Sequence, residues 1–253
     1  SADPDGNGTL TYKWQTSADG QSWQDLPSRI RKENSALGSF AALKDDGSVV
    51  VWGDGLESGA GVTSDQISSG VVDIFSNGTS YAALKNNGSV VTFGGSKYNP
   101  YSGGYSDSHI GYYGADSSAV IDKLSSGVRK IFSTKGSFAA LKNDGSVVAW
   151  GDALEHFDAD IISNKLNSGV INIFSNRNGN AFAALKNDGS VVTFGGSGYD
   201  PYSGDWNGSI SFGKSFGADS SAVQDKLSSG VKEVFSTIGA FAALKNDGSV
   251  VTW

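Results

Sequence analysis

Acidic and amide side chains alternate near the start of the chain. Asp3, Asp5 and Asn7 are spaced two residues apart, and Gly8 follows them. Hard oxygen ligands at this spacing open the calcium loop of an EF-hand. The twelfth position of such a loop requires a bidentate glutamate, but Trp14 occupies it. The spacing therefore predicts either an ordinary polar turn or a weak Ca²⁺ site. We expect no other cofactor.

Catalysis would need a nucleophile, a base and a group that orients the base. The chain has two histidines, His109 and His156, and no cysteine. Both histidines lie in connections that vary between the repeats described below. Asp158 and Asp160 near His156 could ligate a metal, although a solvated loop is the simpler interpretation. We therefore expect a protein that is not an enzyme.

Two long Tyr- and Gly-rich segments are the main candidates for binding. "YNPYSGGY" at 98–105 and "YDPYSGDW" at 199–206 share a core and then diverge. Long loops are usually functional or disordered, and rigid aromatics among small polar residues suit recognition of protein or carbohydrate. The alternative is that these aromatics cover the edges of the protein's own sheets. The candidate residues are Tyr98, Asn99, Tyr101, Tyr105, Tyr112 and Tyr113 in the first segment, and Tyr199, Asp200, Tyr202, Asp205 and Trp206 in the second.

These segments interrupt an internal repeat. The motif Ala-Ala-Leu-Lys begins at residues 41, 82, 139, 183 and 242, and each copy continues with two Asp or Asn residues and Gly-Ser-Val-Val. Asp-Gly or Asn-Gly between apolar runs predicts a β-hairpin, with either a two-residue loop or a three-residue loop that places Gly in a bulge. The lysine of each copy is predicted to be solvated or paired with Asp.

Each repeat predicts a small sheet with two apolar faces. Another strand candidate, such as "GVRKIFST", precedes each complete copy, and a short helix is predicted in "ADSSAVIDKLSSG" and "ADSSAVQDKLSSG". Paired alanines allow sheets to approach closely, and larger apolar residues fill the gaps. Each unit is predicted to contain three or four short strands, and four-stranded blades that repeat every 40 to 50 residues or so describe an all-β propeller.

The copies alternate, and the end copies differ from the others. Trp52 and Trp150 are followed by short connections, whereas Phe93 and Phe194 are followed by the long ones. In the first copy Glu33-Asn34 replaces an apolar pair, so this copy has either lost its inner strand pair or caps the array. The last copy is predicted to be an incomplete blade. We favour the interpretation that the sequence is a fragment of a larger propeller over a five-blade ring or an open array that needs a partner. The unfinished blade edges would allow copies of the chain to associate with one another.

The segment "AALKNDGSVVAWG" at 139–151 resembles the strand-turn-strand signature of RCC1-type repeats. The short repeats are also similar in length to those of the β-lactamase-inhibitory propeller of the same superfamily. The resemblance covers residues 30–253 and implies a β-propeller. Similar repeats occur in giant surface proteins of marine bacteria, so it also implies a structural or recognition role in an adhesin-like protein. The alternative from another class is a protein-binding inhibitor or regulator, such as an exchange factor.

The first 28 residues are predicted to form a separate unit. They alternate apolar and polar residues with two turn signals, which predicts a hairpin. The segment resembles the closing strands of immunoglobulin-like repeats in large bacterial adhesins, with Trp14 at the core position. We therefore divide the chain into a module end or linker hairpin at 1–28 and the propeller repeats at 29–253.

Charge and composition limit the partners. The formal charge of −7 and pI near 4.7 argue against nucleic acid, which needs a basic surface. No apolar run approaches the roughly 18 residues of a membrane span. An acidic surface without cysteine or methionine fits an extracellular bacterial protein, with an acidic cytosolic protein as the alternative. We expect a cell-surface protein whose partner is a glycan or another surface protein.

Overall fold

The computed structural model describes residues 15–16, 21, 24–25, 29–36, 38–53, 64–94, 98–99, 104–105, 116–151, 159–176, 181–196 and 217–253. Within these ranges the chain forms nineteen β-strands and four short helices. Two strand pairs are small hairpins, β1 (Gln15–Thr16) with β2 (Gln24–Asp25) and β9 (Tyr98–Asn99) with β10 (Gly104–Tyr105). The boundary predicted at residue 29 stays a prediction.

The other fifteen strands form five three-stranded antiparallel sheets, each made of consecutive strands. Sheet one contains β3 (Ile30–Ala36), β4 (Ser39–Lys44) and β5 (Val49–Gly53). Sheet two contains β6 (Val71–Ser76), β7 (Ser80–Lys85) and β8 (Val90–Gly94). Sheet three contains β11 (Val128–Ser133), β12 (Ser137–Lys142) and β13 (Val147–Gly151). Sheet four contains β14 (Val170–Ser175), β15 (Ala181–Lys186) and β16 (Val191–Gly195). Sheet five contains β17 (Val231–Ser236), β18 (Phe241–Lys245) and β19 (Val250–Thr252).

The Asp-Gly segments form three-residue hairpin loops. In sheet three, the Lys142 N–H donates to Ser146 O at 2.9 Å and the Gly145 N–H donates to Lys142 O at 3.1 Å. Gly145 has a φ of +79°, a conformation that glycine adopts at little cost. Of the two loop types left open by the sequence, the structure therefore has the one with glycine in a bulge.

Each interior sheet buries both of its faces. We call the face toward the preceding sheet proximal and the face toward the following sheet distal. In sheet three, Phe138 and Ala140 on the proximal face pack with Ala82 of sheet two. Ala139 on the distal face packs with Phe182 of sheet four. Similar clusters join sheets one and two and sheets four and five. Because successive side chains of a strand point to opposite faces of the sheet, an uninterrupted apolar run supplies both faces.

Neighbouring sheets are joined through their first strands. The Ser76 hydroxyl donates to Ser35 O at 2.7 Å, and the Ser133 hydroxyl donates to Ser76 O at 2.9 Å. Sheets that follow one another in sequence order, face to face, are the blades of a β-propeller. The predicted all-β propeller fold is confirmed.

The first repeat retains its first strand. β3 pairs with β4 along its whole length, from Ile30 opposite Lys44 to Ala36 opposite Ser39. The expectation that this copy had lost its inner strand pair is therefore wrong. Backbone pairing does not require the apolar side chains that Glu33 and Asn34 replace, because the strand hydrogen bonds come from the main chain.

Short helices precede the first strands of sheets two to five: α1 (Ser64–Ile67), a 3-10 helix (Ser118–Leu124), α2 (Ala159–Lys165) and a second 3-10 helix (Ser221–Leu227). The two 3-10 helices lie where the sequence predicted helices. Asp116, just before the first of them, accepts a hydrogen bond from the Ser118 N–H at 2.8 Å, whereas the side chain of the N-cap residue Ser117 makes no capping hydrogen bond. Among the described residues, no helix has the length and apolar character that crossing a membrane requires.

Candidate binding site

Both Tyr-rich connections start from buried third strands. The first leaves β8 after Phe93, and the second leaves β16 after Phe194. Phe93 stacks on Tyr81 with ring centroids 5.2 Å apart, and Phe194 stacks on Phe182 at 5.1 Å. Each connection therefore departs from an aromatic pair that is fixed in the core.

The return of each connection is tied back to the strand from which it departed. The hydroxyl groups of Thr92 in β8 and Ser117, just before the first 3-10 helix, lie 2.9 Å apart. Thr193 and Ser220 make the same contact at 2.9 Å, and the Thr193 hydroxyl also donates to Ala218 O at 2.6 Å. The two ends of each long connection are thus held side by side at equivalent places in sheets two and four.

Thr92 and Thr193 hold the ends of the long connections together, a role that was not predicted from the sequence. Thr92 and Thr193 each precede the phenylalanine that marks a long connection, whereas Val51 and Ala149 precede the tryptophans Trp52 and Trp150. The signal is the pair Thr-Phe and not threonine alone, because Thr252 precedes Trp253 in the fifth copy. Its meaning depends on a partner about 25 residues away in sequence.

The backbone of the first connection brings three candidates together. In the β9–β10 hairpin, Tyr98 is paired with Tyr105 and Asn99 with Gly104. The remaining candidate residues lie outside the described part of the chain: Tyr101, Tyr112, Tyr113, Tyr199, Asp200, Tyr202, Asp205 and Trp206. So do Asp3, Asp5 and Asn7 of the calcium candidate, as well as His109 and His156. These assignments stay predictions.

A small cleft of about 190 Å³ with both polar and apolar lining lies beside the return of the second connection. Its lining includes Lys165, Thr193, Asp219, Ser220 and Gln224. Hydrogen bonds from the Ser221 hydroxyl and N–H lower the pKa of Asp219. The carboxylate is therefore ionised at neutral pH, and the cleft offers both hydrogen-bond donors and hydrogen-bond acceptors. The described part of the chain contains no cluster of metal-ligating side chains.

The repeated lysine has a structural partner. The ammonium groups of Lys85, Lys142, Lys186 and Lys245 donate to backbone carbonyls near the ends of the preceding helices, Gln66 O, Lys123 O, Lys165 O and Lys226 O, at 2.8–3.0 Å. Only in the first repeat is the Asp-paired prediction matched, where Lys44 lies 3.8 Å from Asp46. A cation at the C-terminal end of a helix is favourable because unpaired carbonyls collect there.

The end sheets present apolar faces to solvent. On the proximal face of sheet one, Phe40 and Trp52 are 47% and 42% exposed, whereas the equivalent Phe138 and Trp150 of sheet three are 0% and 4% exposed. On the distal face of sheet five, Val250 is 61% exposed. Glu33-Asn34 distinguishes the first copy in the sequence, but the sequence does not show that these faces are exposed.

Comparisons with known proteins add fold likeness only. Neither a protein-family model nor a curated protein sequence matches this chain. Among solved structures, the chain is similar to the ectodomain of the receptor kinase CR4 from Physcomitrella patens, with 14% identity, a TM-score of 0.46 and coverage of 89% of this chain and 52% of that one. The ectodomain of the receptor kinase ACR4 from Arabidopsis thaliana gives 12% identity and a TM-score of 0.43, covering 89% and 69%. Yeast RCC1 (Prp20), solved bound to Kap60, gives 15% identity and a TM-score of 0.45, covering 91% and 58%. The chain thus spans between about half and two thirds of these structures.

Proposed function

We propose that this protein is a non-enzymatic binding module of RCC1-type repeats on a cell surface, and that its two Tyr-rich connections contact a glycan or a surface protein. The observation that carries the proposal is the matched anchoring of the two connections. Each departs from a buried aromatic pair and returns to a threonine on the same strand. A rigid scaffold that holds variable loops at fixed points is a common design for recognition.

The composition of the connections supports binding over chemistry. They concentrate tyrosine, glycine, serine and asparagine, and the second also has Trp206. Aromatic side chains with few rotatable bonds lose little entropy when a partner orders them. The shared core at 98–103 and 199–204 gives the module two similar contact segments, so a repetitive ligand such as a polysaccharide can engage both.

The extracellular assignment rests on composition and resemblance. The chain is acidic and contains neither cysteine nor methionine. The resemblance of its repeats to those of giant bacterial surface proteins points in the same direction. A weak Ca²⁺ site at Asp3, Asp5 and Asn7 is part of this proposal, and a thermal midpoint that is unchanged by Ca²⁺ would refute it.

The test compares the protein with variants in which residues 98–113, residues 199–216 or both are replaced by short Gly-Ser linkers. Binding is measured on a glycan array and by pull-down with extracellular proteins. We expect each single replacement to weaken binding and the double replacement to abolish it. A matched control replaces residues 54–62, in the short connection that follows Trp52, and should leave binding unchanged. If the double replacement binds like the unmodified protein, the connections are not the contact surface.

A further inference from the structure

The two open faces at the ends of the array carry the halves of an interface that the chain builds internally. Between sheets two and three, Ala82, Leu84 and Val90 on the distal side pack against Phe138, Ala140, Val148 and Trp150 on the proximal side. Sheet five carries the same distal residue types, Ala242, Leu244 and Val250. Sheet one carries the same proximal types, with Phe40, Val50 and Trp52 exposed and Ala42 buried among them. We propose that a second copy of this chain associates head to tail through these faces, sheet five of one copy covering sheet one of the next.

The backbone of the end sheets supports the same contact. At each of the four internal interfaces, a first-strand N–H donates to the turn glycine of the preceding sheet at 2.9 Å, as Val128 does to Gly88 O. Ile30 holds the position of Val128 in sheet one, and it is 53% exposed, while Val128 is 4% exposed. Gly248 is the turn glycine of sheet five. A head-to-tail contact places the Ile30 N–H beside Gly248 O and extends the same series of hydrogen bonds.

The space beside Gly248, where a following sheet would lie, is open. A Cβ atom built on Gly88 would lie 2.7 Å from the Gly127 backbone nitrogen, since the next sheet presses against the turn. A Cβ atom built on Gly248 meets nothing within 4 Å. The turn of sheet five therefore has the space that the first strand of another sheet occupies elsewhere.

A charged position in the first strand recurs at both ends of the array. Across the first internal interface the Lys32 ammonium lies 2.6 Å from the Asp73 carboxylate, and these residues hold the same position in consecutive sheets. Glu233 holds that position in sheet five and is exposed. Lys32 is already paired within its own chain, so Glu233 of a second copy would approach a lysine whose charge Asp73 neutralises.

Glu33 gives the contact a further electrostatic requirement. It replaces the Ile131 of sheet three, a buried residue on the proximal face. Burying this carboxylate needs a partner charge. Lys232 of sheet five is exposed and holds the position from which Arg129 donates to Ile171 O across the third internal interface, at 3.1 Å. By the same register Lys232 would reach the carbonyl of Arg31, two residues before Glu33.

A second copy is the proposed occupant because one chain carries both halves of the contact, and its own end sheets do not cover each other. Phe40 and Trp52 at one end and Phe235 and Val250 at the other are all between 42% and 61% exposed. A contact between unlike faces is heterologous, so it either closes into a ring of copies or continues as an open assembly.

The test measures mass by light scattering and sedimentation over a range of concentrations. We expect the unmodified chain to associate as its concentration rises.

Trp52→Arg on the proximal face and Val250→Glu on the distal face should each weaken association by at least about tenfold, because each buries an unpaired charge. Val50→Glu provides a second proximal variant that leaves the Phe40–Trp52 stack in place. Ile121→Lys is the matched control, since Ile121 is exposed on a 3-10 helix outside both faces; it should associate like the unmodified chain. Circular dichroism verifies that each variant is folded.

Mixing the variants tests the head-to-tail arrangement itself. Trp52→Arg keeps an intact distal face and Val250→Glu keeps an intact proximal face, so their mixture should form a one-to-one dimer and nothing larger. The proposal is overturned if the unmodified chain stays monomeric at all concentrations, which would mean that further repeats, residues 1–28 or another protein covers these faces. It is equally overturned if either face variant associates normally, or if the mixture contains no mixed dimer.

Discussion

The second and third strands of sheets one and three carry the same residue types on their proximal faces but place them in different environments. Phe40 and Trp52 stack with ring centroids 5.6 Å apart, and Phe138 and Trp150 stack at 5.3 Å. The first pair is about half exposed, whereas the second is buried beneath sheet two. The contribution of a repeat residue to stability therefore depends on whether a neighbouring sheet covers it, and not on the repeat sequence alone.

The largest expected effect comes from removing the same ring at an interior and an end position. Phe138→Ala should lower the free energy of unfolding by about 3–5 kcal/mol, because it leaves a cavity between two sheets. Phe40→Ala should cost less than about 1 kcal/mol, since much of that ring already contacts water. Chemical denaturation at low protein concentration measures both. Equal losses would show that something covers sheet one in the isolated chain.

A second comparison concerns the turn glycines. Gly88 and Gly248 have φ values of +78° and +84°, so alanine at either position costs about 1–2 kcal/mol in backbone strain. Gly88→Ala must also displace the backbone at Gly127, whereas Gly248→Ala meets open space. We expect Gly88→Ala to be at least about twice as destabilising as Gly248→Ala in thermal unfolding. A reversal of this order would contradict the packing of turn against neighbouring strand.

The smallest expected effect is on pH dependence, and the chain provides its own control. In the turns of sheets three to five, hydrogen bonds from the following serine hydroxyl and N–H lower the pKa of Asp144, Asp188 and Asp247. Stability from a carboxylate with a lowered pKa is fully present above the unfolded pKa, near 3.9, and is lost as the pH falls through the folded value. In sheet two, Asn87 makes the same two bonds, to the Ser89 N–H at 3.0 Å and the Ser89 hydroxyl at 2.7 Å, without titrating.

Replacing the three aspartates by asparagine should therefore flatten the fall in thermal midpoint below about pH 4 while leaving the fold intact. Circular dichroism melting curves between about pH 2 and pH 7 would measure this. An unchanged acid profile in the triple variant would show that these turns do not contribute to acid sensitivity. The serines remain in place in the variant, so the comparison isolates the charge of the acceptor.

Much of the blade could be predicted from the sequence because its signals are local. The Asp-Gly turn, the alternating apolar residues of 138–141 and the helix signal in "ADSSAV" depend on neighbours within a few residues. The partner of the repeated lysine could not be predicted in this way, because Lys142 donates to a carbonyl 19 residues earlier. The tie between Thr92 and Ser117 was missed for the same reason, since a hydroxyl pair 25 residues apart leaves no periodic signal.

The sequence by itself determined that the chain consists of repeated β-hairpins with two apolar faces, and that two of the repeats bear long aromatic connections. The tertiary structure alone decided which faces are covered. Phe138 and Phe40 have the same local sequence, Ser-Phe-Ala-Ala-Leu-Lys, yet only Phe138 lies against a preceding sheet. Burial depends on the removal of water by a surface that is distant in sequence, so no reading of one repeat could distinguish the interior of the array from its ends.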